Sequence, residues 1–299
     1  MWLSLAFLSA FLLGIYEICK KVSLNNNAVI PVLFLNTFFS SLIFVPFVII
    51  SYCFPDILQD TLFYVPKVSI ETHGRVFLKS IIVLSSWIFA YFATKHLPLT
   101  IIGPIKATQP VMVLLGALLI FSERLNLFQW IGVLLSITSF YLLSIAGKKE
   151  GINFKKDKWI FFMVLSVITG AASGLYDKHL MKDLDPMTVQ VWFNFYQFPI
   201  MLTTLLAVWF PYRHRTTPFR WHWTIPFISV FLAIADFVYF YALSDPDSLI
   251  SIVSMIRRSN VVVTFIFGAF VYREKNLKGK AVDLVLVLLG MYFLYLGSK

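Results

Sequence analysis

Stretches of about 20 predominantly apolar residues, long enough to cross a hydrocarbon layer as an α-helix, recur along almost the whole chain. Only short polar segments part them. Hydrocarbon gives backbone N–H and C=O groups no hydrogen-bond partners, so a helix, which satisfies its own, is the expected form of each stretch. The pattern predicts ten spans, near 2–22, 28–52, 76–96, 99–121, 127–147, 159–181, 187–210, 223–243, 249–271 and 278–297. With 59% hydrophobic and 13% charged residues, the chain is expected to be an all-α, multi-pass membrane protein. Net charge +10 would suggest a nucleic-acid partner in a soluble protein. Here the bases lie mostly in loops, so membrane topology is the simpler cause and no nucleic acid is expected. Odd-numbered loops hold most of them, which by charge alone puts those loops in the cytoplasm and both termini outside.

Trp159, Trp209, Trp221 and Trp223 fall at span ends, as aromatic interfacial anchors do. The opening "MWLSLAFLSAFLLGIYEICKK" lacks the basic start and small-residue cleavage site of a secretion signal, so it reads as the first span. Cys19 and Cys53 end consecutive spans at opposite faces and are expected to stay unbridged.

The two halves resemble each other. Gly14, Tyr16 and Glu17 of the first span fall on Gly174, Tyr176 and Asp177 of the sixth at one constant offset. Asn36 falls on Asn194 and Ala93 on Ala242. "PIKATQPVMVLLGALLIFSER" aligns with "MIRRSNVVVTFIFGAFVYREK", which puts Lys106 on Arg257, Gln109 on Asn260 and Glu123 on Glu274. Base and amide, three residues apart, share a helical face in both copies. Each copy has an odd number of crossings, so the second must enter the membrane upside down. The expected organisation is therefore two inverted five-helix repeats, 1–147 and 159–299, joined by the charged linker 148–158. Such repeats place a site near the midplane and alternate its access by rocking.

Several ordered motifs also carry a family resemblance: the glycine-to-lysine spacing from Gly14 to Lys21, the proline and glutamate Pro110 and Glu123, "ERLNLFQWIG" entering the fifth span and "EKNLKGK" entering the tenth. Together they resemble the EamA-like members of the drug/metabolite transporter superfamily. Leu13 stands where a tryptophan is common in that family, and Val261 where the first repeat has Pro110. The resemblance implies ten helices in two repeats, transport of a small solute, and cytoplasmic termini, against the charge count.

Arg257 and Arg258 are the most demanding residues, because a charge at mid-helix costs roughly 2.5–3.5 kcal/mol on insertion scales. They can form an anion site, or an ion pair with Asp236 or Glu17 that fastens helices together. Phosphate-translocating relatives within the resemblance also carry bases here. Ser251, Ser254 and Arg258 share one helical stripe, and Arg257, Asn260 and Thr264 an adjacent one. Guanidinium suits carboxylate or phosphate through paired hydrogen bonds. Lys106 can join that site or snorkel to the interface. Gln109, Asn260, Asn194, Gln197 and Asn36 can orient a solute or bond between helices. Tyr16 and Tyr176 are candidates for the cavity wall. Glu17, Asp177 and Asp236 are candidates for proton coupling, with pairing to nearby lysines as the alternative. Gly170 and Gly174 suit close helix packing, and Pro104 with Pro110 should bend the fourth span.

These readings point to a secondary active transporter (permease) of a small anionic or zwitterionic metabolite, working by alternating access through a cavity between the repeats. A proton-driven exporter of cationic or hydrophobic drugs is the competing expectation. An intramembrane enzyme is the alternative from another class; the sequence has no HExxH, no G-x-S-x-G and no phosphate-cradling glycine loop. No cofactor or metal is expected. The expected partners are the small-molecule substrate, the lipid bilayer and protons, with a homodimer left open. The expected location is a bacterial cytoplasmic membrane.

Overall fold

A computed structural model describes residues 2–113, 126–148, 152–180, 183–244, 256–274 and 277–297. Those residues are helical almost throughout and include no strand. The helices are α1 (Trp2–Leu24), α2 (Val29–Cys53), α3 (Ile70–His96), α4 (Leu99–Ala107, resuming at 109–113) and α5 (Leu127–Lys148). The second half holds α6 (Lys158–Leu180), α7 (Pro186–Thr204, continued by a π turn Leu205–Trp209), α8 (Thr224–Ser244), α9 (256–258, resuming as Asn260–Phe270) and α10 (Leu277–Gly297). Glu123, Ser251 and Ser254 lie outside the described residues.

Six described segments are long and apolar enough to cross a membrane: Val29–Cys53, Ile70–His96, Leu127–Lys148, Lys158–Asp177, Pro186–Tyr212 and Leu277–Gly297. Ten were expected. The six are counted among the described residues, and α4, α8 and α9 run into residues outside them.

Helix ends follow local chemistry. Ser69 caps α3 by accepting from the Thr72 amide at 3.3 Å, and Asp185 caps α7 by accepting from the Thr188 amide at 3.0 Å. Lys21 donates to the carbonyls of Thr94 and Leu97 at 2.7 and 2.6 Å, closing the C-terminus of α3.

Helices pair across the halves in a pattern that survives exchanging one half for the other. α1 packs on α8 as α6 packs on α3, while α2 meets α7, α4 meets α9 and α5 meets α10. Leu13, Leu84, Tyr91, Ile228 and Leu232 form the core between α1, α3 and α8, and Ala107, Val261, Phe265, Leu284 and Val287 join α4, α9 and α10. Serines stitch the same pairs: Ser9 donates to the Ala235 carbonyl at 2.7 Å, and Ser86 to that of Ser166 at 2.8 Å. Interhelical bonds of this kind replace the hydrophobic drive that lipid removes.

Cys19 and Cys53 are free thiols. Trp221 and Trp223 are exposed, as anchors would be, whereas Trp159 is half-buried and stacks on His96 with ring centroids 3.6 Å apart.

Candidate functional site

α4 and α9 break at equivalent places, one residue past Ala107 and Arg258. At Thr108 the hydroxyl donates to the Ile105 carbonyl at 2.7 Å; at Ser259 the hydroxyl donates to the Ile256 carbonyl at 2.6 Å. The amides of the same two residues bond the same two carbonyls, at 3.2 and 2.9 Å. Both helices then restart, with Val111 donating to the Thr108 carbonyl and Val262 to that of Ser259. Hydroxyl back-bonds compete with the regular helical ladder and loosen it locally. Pro110 lacks the amide that would reach Lys106, which reinforces the first break. Val261 has that amide, so the second break rests on Ser259 and its surroundings.

The bases gather at these breaks. Lys106 contacts Glu17 at 2.6 Å, and Lys20 contacts the other Glu17 oxygen at 2.6 Å. Lys20 is the less expected member: 1% exposed, its ammonium stands 4.6 Å from the Tyr16 ring centre and 5.2 Å from that of Tyr91. Desolvated cation–π contacts of this kind are worth about 2 kcal/mol each and help hold a charge away from water. Arg257 pairs with Asp236 on α8 and lies 4.1 Å over the Tyr239 ring. Arg258 lies in the fields of Arg257, Tyr239 and Glu17, which joins both pairs into one cluster. Among the described residues four bases thus face two carboxylates.

Polar residues of α2 and α7 add unmet hydrogen-bonding capacity. Gln197 is 0% exposed, yet among the described residues neither its amide nitrogen nor its oxygen has a partner. Asn36 accepts from Ser229 at 3.0 Å but its Nδ2 is unpartnered, as is the Ser40 hydroxyl. Asn194 is engaged, donating to the Gln190 carbonyl at 2.7 Å. Gln109 is buried against Gly170, where an added Cβ would stand 3.1 Å from its Nε2, and Asn260 is half-buried at the start of the resumed α9.

Asp177 and Tyr176 belong to a different cluster. Asp177 pairs with Lys79, whose ammonium lies 5.1 Å from the Phe193 ring centre, and Tyr176 donates to the Arg75 carbonyl at 3.2 Å. Arg75 also reaches Asp183 at 3.1 Å. Glu17, Asp177 and Asp236 are therefore all salt-bridged, Glu17 through Lys20 and not Lys21. The sequence reading passed over Lys20, although it stands one turn from Glu17, and over Lys79, one turn from Arg75. Gly170 packs closely as expected; Gly174 has open space beside it, with no heavy atom within 4 Å of an added Cβ.

Beyond the site, Glu274 grips the start of α4, accepting from the amides of Leu99 at 2.8 Å and Thr100 at 3.0 Å and from the Thr100 hydroxyl. Pro98 makes no side-chain cap there, so a carboxylate from the other half does it, at the positive end of the helix dipole. Among the described residues no cluster of His, Cys, Asp and Glu could hold a metal.

Comparison with known proteins agrees with this architecture. No match is found among curated proteins. Twenty-three chains of solved structures match. One, described only as "Crystal structure of protein", shares 11% sequence identity at a TM-score of 0.66, over 99% of this chain and 97% of its own, a likeness of fold alone. The family model for the EamA-like transporter family matches twice, over residues 1–145 and 157–296. The chain belongs to the EamA-like transporter family.

Proposed function

We propose that this chain is a secondary active permease for a small anionic or zwitterionic metabolite. Its ten spans form two inverted repeats, and a site between them opens to each side of the membrane in turn. The observation that carries this reading is the excess of positive charge at the paired breaks: Lys20, Lys106, Arg257 and Arg258 against Glu17 and Asp236. Buried charge is costly unless compensated, so a cluster that is two carboxylates short among the described residues suits completion by an anionic solute. Arg257 and Arg258 supply forked donors for a carboxylate or phosphate. The unpartnered groups of Gln197 and Asn36 are suited to the solute's neutral polar atoms. Lys106, Gln109, Asn260, Asn194 and Tyr16 complete the proposed set of solute-contacting residues; Tyr176, in the Lys79–Asp177 cluster, stands apart from it. A bacterial cytoplasmic membrane is the proposed location.

A cationic-drug exporter would need a carboxylate free to meet its cargo. Glu17 and Asp236 are each already held by a base.

The test is a thermal-shift screen of purified protein against phosphorylated, carboxylated and cationic metabolites, repeated with Arg257→Ala and Arg258→Ala. Binding to the native state raises the melting temperature by mass action. The expected result is stabilisation of the parent by an anion and none of either variant. Stabilisation by hydrophobic cations alone, retained in both variants, would overturn the reading.

A further inference from the structure

Asp283 stands apart from the other buried carboxylates. It lies two turns into α10, facing α5, and is 1% exposed, yet among the described residues no donor reaches either carboxylate oxygen. Around it the interface is close and made of small residues. The Ser139 hydroxyl donates to the Asp283 main-chain carbonyl at 2.9 Å, not to its carboxylate, and Gly132 and Gly290 let α5 and α10 approach closely nearby. Leu284 and Val287 continue the same surface into the apolar core with Val261 and Phe265.

The charged and titratable groups of the surrounding elements do not compensate it. From α4, Lys106 is committed to Glu17; from α9, Arg257 is committed to Asp236 and Arg258 lies in that same cluster. On α5, Tyr141 is exposed to the outside and Lys148 ends the helix in the open. On α10 itself, Lys278 is exposed, and Lys280, one turn earlier and wholly buried, makes an interaction but no hydrogen bond to the Asp283 carboxylate.

An ionised carboxylate buried without a partner costs many kcal/mol, a cost that a bound proton removes. We infer that Asp283 is a proton-binding site in the membrane, carrying its proton in this conformation, whereas Glu17, Asp177 and Asp236 are each paired with a base. The proton sits on a carboxylate oxygen and leaves when α5 and α10 part enough to admit water or a base. Intramembrane carboxylates of this kind serve as proton relays in pumps and transporters. That use rests on the permease reading above; the protonation itself does not.

The experiment is infrared difference spectroscopy of the full-length protein in lipid nanodiscs from mildly acidic to neutral pH, with exchange into D2O. The parent should show the C=O stretch of a protonated carboxyl, Asp283→Asn should lose it, and Asp283→Glu should retain it at a shifted frequency. Asp283→Glu keeps the test decisive where Asp283→Asn fails to fold. Absence of the band in the parent, or its persistence unchanged in both variants, would overturn the inference. Failure to find any transported solute would leave the band in place and count only against the permease reading.

Discussion

Thr108 and Ser259 make the same bond in the two halves, each hydroxyl donating to the carbonyl three residues before it. The two helices break beside their bases, Lys106 and Arg257, at matching positions in the repeat. Thr108→Ala and Ser259→Ala should each cost only about 1 kcal/mol, because the amide of the same residue still satisfies the carbonyl. Solute binding should suffer far more in the double variant than stability does. Paired melting and ligand-titration curves would show it; equal loss in both would assign the hydroxyls to fold maintenance alone.

Glu17 and Lys20 should respond unequally to neutralisation. Glu17→Gln leaves Lys20, at 1% exposure, as an uncompensated buried charge, a change worth about 3–5 kcal/mol. Lys20→Met leaves Glu17 with Lys106 and puts an apolar chain between Tyr16 and Tyr91, so it should cost clearly less. Denaturation of both variants in the same detergent orders them. An order reversed from this one means that Lys20 does not depend on Glu17.

Asp236 competes with any anion for Arg257, since it already occupies that guanidinium. Asp236→Asn should therefore tighten anion binding by on the order of 1 kcal/mol, about fivefold. Arg257→Ala should abolish it. Isothermal titration with the anion found by screening measures both, and weaker binding by Asp236→Asn would make Asp236 part of the solute site.

The all-helical membrane class, the repeat and the bases of α4 and α9 were legible in the sequence because each is a local pattern. Apolar run length, a constant offset and a charge inside a hydrophobic stretch need no third dimension. Partnership was not legible. Glu17 is flanked in α1 by Lys20 and Lys21, three and four residues on, and only the packing of α1 against its neighbours decides that Lys20 turns inward while Lys21 ends on α3. Asp177 meets Lys79 across 98 residues, a pairing that no motif encodes. Asp283 lies in "KAVDLVLVLLG" with nothing in the letters to say that its neighbours offer it no donor.

Glu274 ties the end of one half to the beginning of α4 in the other through three donors. Glu274→Ala removes every acceptor at once and should cost about 1–2 kcal/mol, the usual range for a lost N-terminal cap. Glu274→Gln keeps one carbonyl oxygen and should fall between. Hydrogen exchange at the amides of Leu99 and Thr100 should accelerate in the same order; unchanged exchange would mean that these amides are protected by something other than the carboxylate.

Gly14 and Gly174 occupy equivalent positions in the repeats but have opposite surroundings. A Cβ on Gly14 would stand 2.5 Å from the Val263 Cβ, because α1 presses on α9 there, whereas a Cβ on Gly174 would meet nothing within 4 Å. Gly14→Ala should overpack that contact by about 1–3 kcal/mol. Gly174→Ala should be neutral in the resting protein, or stabilising by up to about 1 kcal/mol through helix propensity. If the halves exchange roles during transport, α6 must press on α4 in the alternate state as α1 presses on α9 in this one. Gly174→Ala would then block turnover while sparing stability and ligand binding, a combination that Gly14→Ala cannot produce. Transport into proteoliposomes, measured beside melting temperature and affinity, decides the matter, and wild-type rates in Gly174→Ala would rule out a symmetric exchange at this helix pair.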